Sequence, residues 1–469
     1  MSFFNNVSQS IARRLSGAGQ EETDGFVVVP PTPPTPTPTA TAMDVDSTGP
    51  TVSLHLKQKH SSIGMKSDLS SNSFVASLTG ASAVNEEERA PIDITVVIDI
   101  SASMTGGKLE LCKKTCQVLL SELKPTDRFS LVTFGDDAKT EFSLSGLTSS
   151  NKVNAENKVK ALRTQGGVSD PAGIISLLKG CLSSESSANI SVNTFGYGED
   201  HNAELLQSIS EGSRTPGSYY FVETEDNVSS AFGDCIGGLL SVAAQNIKVK
   251  IRETTGATIE VKDDRAVRTT SSSFTLQIGD IMAEETKDFL IEVFNFQSGG
   301  VAQVEVQVEY VDILNSTTCT SPVESITTLL PDDATVSEVD VYVGLQALRV
   351  LVANTLKTAG GQARGRNIKE AREVVQGCIK TITDESAKLT LGAGDQVIIT
   401  SLLKDLNDCL SGMVSYQEYE QRGSKMMSMK AQMHTYQRCN ESDETSYNMY
   451  RGATSSKAQY AKKMKSKCK

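Results

Sequence analysis

The chain has 469 residues, more than one ordinary domain holds, so two or three folded units are expected. Its 45 Lys and Arg against 57 Asp and Glu give a formal charge of −12, which excludes a general attraction to nucleic acid or anionic lipid. No apolar run approaches the roughly 18 residues of a membrane span, the start lacks a secretory hydrophobic core, and nine scattered cysteines without CxxC spacing read as reduced thiols. The expectation is a cytoplasmic protein with no transmembrane segment and no nucleic-acid partner.

Residues 1–20 place Phe3, Phe4, Val7, Ile11 and Leu15 on one helical face beside Arg13 and Arg14, which reads as a short amphipathic anchor or a frayed terminus. PPTPPTPTPTATAMD, residues 30–44, favours an extended, polyproline-like spacer. Residues 1–50 are thus expected to be a disordered segment with a Pro/Thr-rich linker. Within 51–88, the alternation at Val52–Lys57 and Phe74–Leu78 predicts two strands.

Residues 89–245 alternate strand and helix, the pattern of a mostly parallel sheet flanked by helices. The first helix carries Leu109, Cys112, Cys116, Leu119, Leu120 and Leu123 on one stripe, so its two cysteines are expected in the core. From Asn246 the period returns to two, through NIKVKIR, SFTLQIGDI, DFLIEV and AQVEVQVEYV, which predicts an antiparallel β-sandwich over 246–330. The strands of 51–88 are expected to join that sandwich, leaving the α/β unit inserted into it. Residues 335–425 read as a helical domain with Gly-rich joints, and 426–469 as a flexible basic tail. TAGGQARGRN lacks the Lys-Ser/Thr ending and preceding strand of a phosphate-binding loop and reads as a joint.

The chemistry-bearing stretch is DITVVIDISASMTGGK, residues 93–108. Its apolar run ends in Asp99, Ser101 and Ser103, where a buried parallel strand meets the following helix and where ligand sites of such sheets gather. One carboxylate and two hydroxyls are hard oxygen ligands suited to Mg²⁺ or Mn²⁺, and Gly106 and Gly107 permit a close turn. The other reading is a turn whose side chains cap the next helix.

The pattern Asp-x-Ser-x-Ser resembles the metal-ion-dependent adhesion site of the von Willebrand factor A family. KPTDRFSLVTFGDDA (124–138), TQGGVSDPAGI (164–174) and VNTFGYGEDHN (192–202) are similar to later segments of that domain. Residues 217–251 resemble its exit into β structure in multidomain intracellular members, including plant ubiquitin ligases of the WAVY GROWTH type. YEQRGSKMMSMKAQM (419–433) is weakly similar to their C-terminal helical part. The resemblance implies a Rossmann-like fold and an ion completed by a Thr of a Gly-Gly-Thr loop and an Asp from another strand. Here Val168 stands at the Thr position, with Ser169 beside it as a substitute. Only residues 182–189 separate the helix ending near Cys181 from ISVNTFGYG, so the strand bearing the second Asp is missing and Asp200 is the local replacement.

The candidate metal set is therefore Asp99, Ser101, Ser103, Ser169 and Asp200, holding Mg²⁺ or Mn²⁺ in an incomplete shell. The resemblance implies a protein-interaction module that offers the ion to a partner's carboxylate, the partner and the oligomeric state being left open. The alternatives are a metal-independent scaffold and a non-catalytic subunit of a ubiquitin-ligase-like assembly. No nucleophile or base accompanies Asp99, and the first 50 residues hold no Cys or His for the zinc-binding RING of the ligases, so no enzyme is expected.

Overall fold

A computed structural model describes residues 51–82, 89–135, 138–165, 190–199, 201–212, 215–223, 225–296 and 300–438, with positions 459 and 462. The amphipathic and Pro/Thr-rich segments of residues 1–50 lie outside them.

In chain order, β1 (Val52–Gln58) and β2 (Ser71–Gly80) precede the α/β unit. That unit runs β3 (Asp93–Asp99), α1 (Gly107–Glu122), β4 (Arg128–Phe134), β5 (Ala138–Gly146), α2 (Ser149–Ala161), β6 (Thr194–Tyr197), α3 (Ala203–Ser210), β7 (Tyr219–Val222) and α4 (Glu225–Leu239). Strands follow: β8 (Val242–Glu253), β9 (Thr258–Val261), β10 (Ala266–Thr270), β11 (Ser273–Met282), β12 (Thr286–Phe294), β13 (Val301–Asp312), β14 (Thr317–Thr320) and β15 (Glu324–Leu329). The longer helices that follow are α5 (Val341–Arg364), α6 (Ile368–Ser386), α7 (Ala393–Ser411) and α8 (Ser424–Tyr436), with short helical turns over Tyr416–Glu418 and Tyr419–Gly423 leading into α8.

The sandwich has one sheet in the order β1-β2-β12-β9 and a second in the order β10-β11-β8-β13-β14, with β15 also on β13. Strands from both sides of the α/β unit thus share a sheet, through β2 antiparallel to β12. The period-two pattern explains the layer. Val304, Val306 and Val308 of β13 enter the core with Ile247, Val249 and Ile251 of β8. The alternate positions of β13 face outward, where Glu305 and Glu309 meet Arg252 and Lys250 across the strands.

β2 is buried on both faces, for two different reasons. Phe74, Ala76 and Leu78 point into the sandwich, whereas Val75 packs with Leu290 and Val343 beneath α5. The helices have their own core, in which Val352, Leu356, Val375, Ile382, Leu402 and Leu406 meet.

The boundary expected at residue 426 is corrected. α8 runs from Ser424 to Tyr436 and buries Met426, Met427, Met429, Met433 and also Lys425, Lys430 and His434. Its many polar letters hide the helix from a hydrophobicity reading, because they are satisfied inside. Lys430 Nζ meets Asp405 Oδ1 at 2.5 Å and His434 Nε2 lies 3.0 Å from Asp405 Oδ2, all three side chains being buried. Burial alone would raise the Asp405 pKa, but His434 and Lys430 outweigh it and hold the carboxyl below its ordinary value.

Replacing Asp405 by Ala removes the buried carboxylate that Lys430 and His434 share and leaves Lys430 with the half-exposed Asp408 at 3.4 Å, and breaking such a buried pair costs about 3–5 kcal/mol. Urea unfolding of Asp405→Ala followed by circular dichroism is expected to show a loss of that order; a change below about 1 kcal/mol would contradict the burial of a charged Lys430.

Candidate metal and partner-binding rim

The α/β unit presents its rim where β3 runs out. β3 lies parallel to β4 over its whole length, from Asp93 opposite Arg128 to Asp99 opposite Phe134. The lower end is pinned by buried Asp127, whose Oδ1 accepts from the Ile92 amide at 3.0 Å and whose Oδ2 accepts from the Lys124 amide at 2.6 Å. Burial pushes the Asp127 pKa up, yet Arg89 and these amides more than offset it and leave the carboxyl below its usual value.

At the upper end the Ile100 amide still donates to Phe134 O at 2.8 Å, continuing the ladder one residue past β3. The chain then turns. The Ser101 amide donates to Asp99 Oδ1 at 2.8 Å, which locks the carboxylate over the turn. A 3-10 turn at Ala102–Met104 tucks Met104 into the core, and Gly106, at φ 89°, gives the left-handed step that starts α1. Neither Ser101 nor Ser103 caps α1, so the cap reading of these hydroxyls is not realised.

Ser101 Oγ and Ser103 Oγ lie 2.9 Å apart, Ser101 buried and Ser103 exposed. Neighbouring ligands of an octahedral ion with bonds of 2.0–2.1 Å stand about 2.9 Å from one another, so both hydroxyls fit adjacent positions of a Mg²⁺ shell. The two hydroxyls therefore stand together, with the Asp99 carboxylate tied to the same turn through the Ser101 amide, a donor set of hard oxygens. Among the described residues no group of three or more His, Cys, Asp or Glu side chains gathers to hold a metal. Ser169 and Asp200, with Val168, lie outside the described residues.

Three residues grouped about Gly198, namely Lys108, His201 and Tyr219, escaped the sequence reading. The Lys108 side chain reaches the end of β6, where a Cβ on Gly198 would stand 3.7 Å from its Nζ. His201 bonds the Gly198 carbonyl through Nδ1 at 2.8 Å and the Tyr219 hydroxyl through Nε2 at 2.6 Å. Its ring fits only because residue 196 is glycine, since a Cβ there would fall 2.3 Å from the imidazole. The signal was present in Thr194-Phe-Gly-Tyr-Gly followed three residues on by His201, but it marks a packing role and not a ligand set.

Burial lowers the His201 pKa to about 4, with the Lys425 and Lys108 charges adding to the effect against the Gly198 hydrogen bond. The neutral ring donates from Nδ1 and accepts the Tyr219 proton at Nε2. Cys112 and Cys116 are both buried, as the helical stripe implies, and burial pushes the Cys112 thiol up to about 11.

The α/β unit has the fold of a von Willebrand factor type A domain. The description of that domain matches residues 93–174 of the chain. The chain is 26% identical over 244 residues to E3 ubiquitin-protein ligase WAV3 of Arabidopsis thaliana, covering 46% of this chain and 32% of that protein. It is 25% identical over 271 residues to probable E3 ubiquitin-protein ligase WAVH2 of the same plant, covering 50% and 37%. The chain thus spans well under half the length of these relatives. Among solved structures, von Willebrand factor type A from Catenulispora acidiphila has a TM-score of 0.56 at 14% identity, over 75% of this chain and 90% of that one. The ArnB paralog VWA2 from Sulfolobus acidocaldarius has 0.53 at 16%, over 82% and 98%. At those identities the likeness speaks for the fold alone.

Because the folded His201 binds its proton more weakly than an unfolded imidazole, the unfolded state takes up more protons as pH falls from about 6.5 toward 4. Stability contributed by the neutral ring is present above pH 6.5 and lost across that window. His201→Gln is expected to flatten this part of the stability-against-pH curve, measured by urea unfolding at half-unit pH steps; an unchanged slope would mean that the ring is solvated.

Proposed function

We propose that this chain is a non-enzymatic, cytoplasmic protein-interaction module whose von Willebrand factor type A domain binds an acidic segment of a partner protein at the rim of Asp99, Ser101 and Ser103. The observation that carries the reading is the 2.9 Å pairing of the two serine hydroxyls beside a carboxylate, at the end of a parallel strand. Asp99 would supply the charge, and Ser101 and Ser103 two adjacent oxygens. A bound Mg²⁺ or Mn²⁺ would supply an open coordination position to a carboxylate from the partner. With Asp99 the single carboxylate of that motif, the affinity for the ion is low and partner binding helps to retain it.

The ligase names of the plant relatives support a place in a ubiquitin-ligase-like assembly, in which this chain recognises a protein and another supplies the transfer chemistry. No nucleophile or base accompanies Asp99 in its motif, which favours recognition over catalysis. A metal-free scaffold is the second reading, favoured by the buried polar contacts that fix the three units to one another.

Calorimetric titration of the full chain with Mg²⁺ and with Mn²⁺ separates the two. The expected result is saturable binding that weakens at least tenfold in Asp99→Ala and in Ser101→Ala, with an acidic peptide strengthening it. Absence of binding to the intact chain, with the acidic peptide present, would leave the metal-free scaffold.

A further inference from the structure

An acidic partner segment meets a chain of formal charge −12, whose average field repels it. The charge is unevenly placed. Residues 107–124 and 149–163, which hold α1 and α2 with the residues that end them, contain eight Lys and Arg against three Glu, a net +5 that leaves −17 for the rest of the chain.

These two helices flank the rim. α1 starts at Gly107, at the end of the turn that carries Ser101 and Ser103. Beyond α2, the Gln165 amide donates to Ile100 O at 2.7 Å, next to Ser101, and Arg163 stands two residues before that bond. Several of the cations have structural duties. Lys113 meets Glu110 at 2.7 Å and Lys160 meets Glu156 at 4.0 Å. Lys152 donates to Leu123 O at 3.2 Å, and Arg163 donates to Lys160 O at 3.0 Å and Leu162 O at 2.7 Å, closing the end of α2. A carbonyl is a dipole without net charge, so those last bonds satisfy donors and leave the positive charge in place. Lys114 is exposed, and among the described residues no hydrogen bond or ion pair engages it.

Arg163 and Lys114 converge on Glu110, at the first turn of α1. The Lys113 hydrogen bond, and then the charges of Lys113, Arg163 and Lys114, hold the Glu110 carboxyl below its ordinary value against desolvation. Lys113 already answers that carboxylate, so the charges of Arg163 and Lys114 are in surplus there. We propose that Arg163 and Lys114 form a second contact for the partner, a positive step beside the rim that receives an acidic residue following the one seated at Ser101 and Ser103. The inference rests on the rim reading given above and narrows the partner. α1 advances about 10 Å from Gly107 to Lys114 at roughly 1.5 Å per residue, a distance that about three residues of extended chain cover. The segment therefore carries two acids in the spacing Asp/Glu-x-x-Asp/Glu. Exposed charge pairing of this kind sets register and approach rate, and salt weakens it.

Anisotropy titration with the full chain, in Mg²⁺ at low salt, tests the second contact. Two fluorescein-labelled Gly/Ser peptides serve as probes, one with two Glu separated by two residues and one with a single Glu. The two-Glu peptide is expected to bind at least about fivefold more tightly, and this ratio is expected to fall to about one in Lys114→Glu and in Arg163→Gln and at high salt. Lys114→Glu breaks no hydrogen bond among the described residues, so its result stands even where Arg163→Gln loosens the end of α2. A native ratio near one, or a ratio that neither substitution changes, would overturn the second contact alone. Ser101→Ala is expected to weaken both peptides and keep the ratio; no effect on either peptide would refute the rim reading itself. Tighter binding of a single-stranded oligonucleotide than of the two-Glu peptide, lost in the same variants, would assign the face to nucleic acid and overturn the proposal.

Discussion

A buried charge has to be paired, and Asp405 is the place where that constraint organises this protein. Its carboxylate receives Lys430 and His434, both from α8, so the last described helix is held against α7 with a definite rotation and depth. With that rotation fixed, the other polar side chains of α8 reach different units. Gln432 accepts from the Tyr219 amide at 2.5 Å and donates to Ser210 Oγ at 2.9 Å, both in the α/β unit. Just beyond the helix, Gln437 exchanges two hydrogen bonds with the backbone of Asp288, and Arg438 donates to Pro216 O and Asp280 O. Lys287 and Arg349 in turn donate to the carbonyls that end α8. One helix therefore touches sandwich, α/β unit and helical unit together.

This arrangement links the end of β6 to α8 by contiguous contacts. The Gly198 carbonyl bonds His201, His201 bonds the Tyr219 hydroxyl, and the Tyr219 amide bonds Gln432. Met429 packs with Ala203, Tyr219 and Phe221 in the same place. The position of the α/β unit relative to the sandwich is thus defined by buried polar groups. Such groups are costly to leave unsatisfied, which favours one arrangement of the units over a sliding set.

Much of the α/β unit and its site was legible beforehand because it is local. The apolar run ending in Asp99, Ser101 and Ser103 is a strand followed by a turn whatever surrounds it, and the hydroxyls lie together because they are two residues apart in that turn. The stripe that buries Cys112 and Cys116 is likewise a property of helical spacing. Lys108, His201 and Tyr219 were not legible as a group about Gly198, since their proximity depends on how β6, β7 and α1 pack. Ser169 and Asp200, selected on resemblance to the family pattern, lie outside the described residues.

The sequence by itself determined the kinds of element and their order, since the periods of two and 3.6 record which face of each segment avoids water. It determined the three oxygens at the end of β3 for the same local reason. Only the tertiary structure decided that α8 is a buried clasp. Lys430, His434, Gln432 and Arg438 look like a solvated surface until their partners on other elements are known, because polarity in a sequence does not reveal whether water or protein satisfies it.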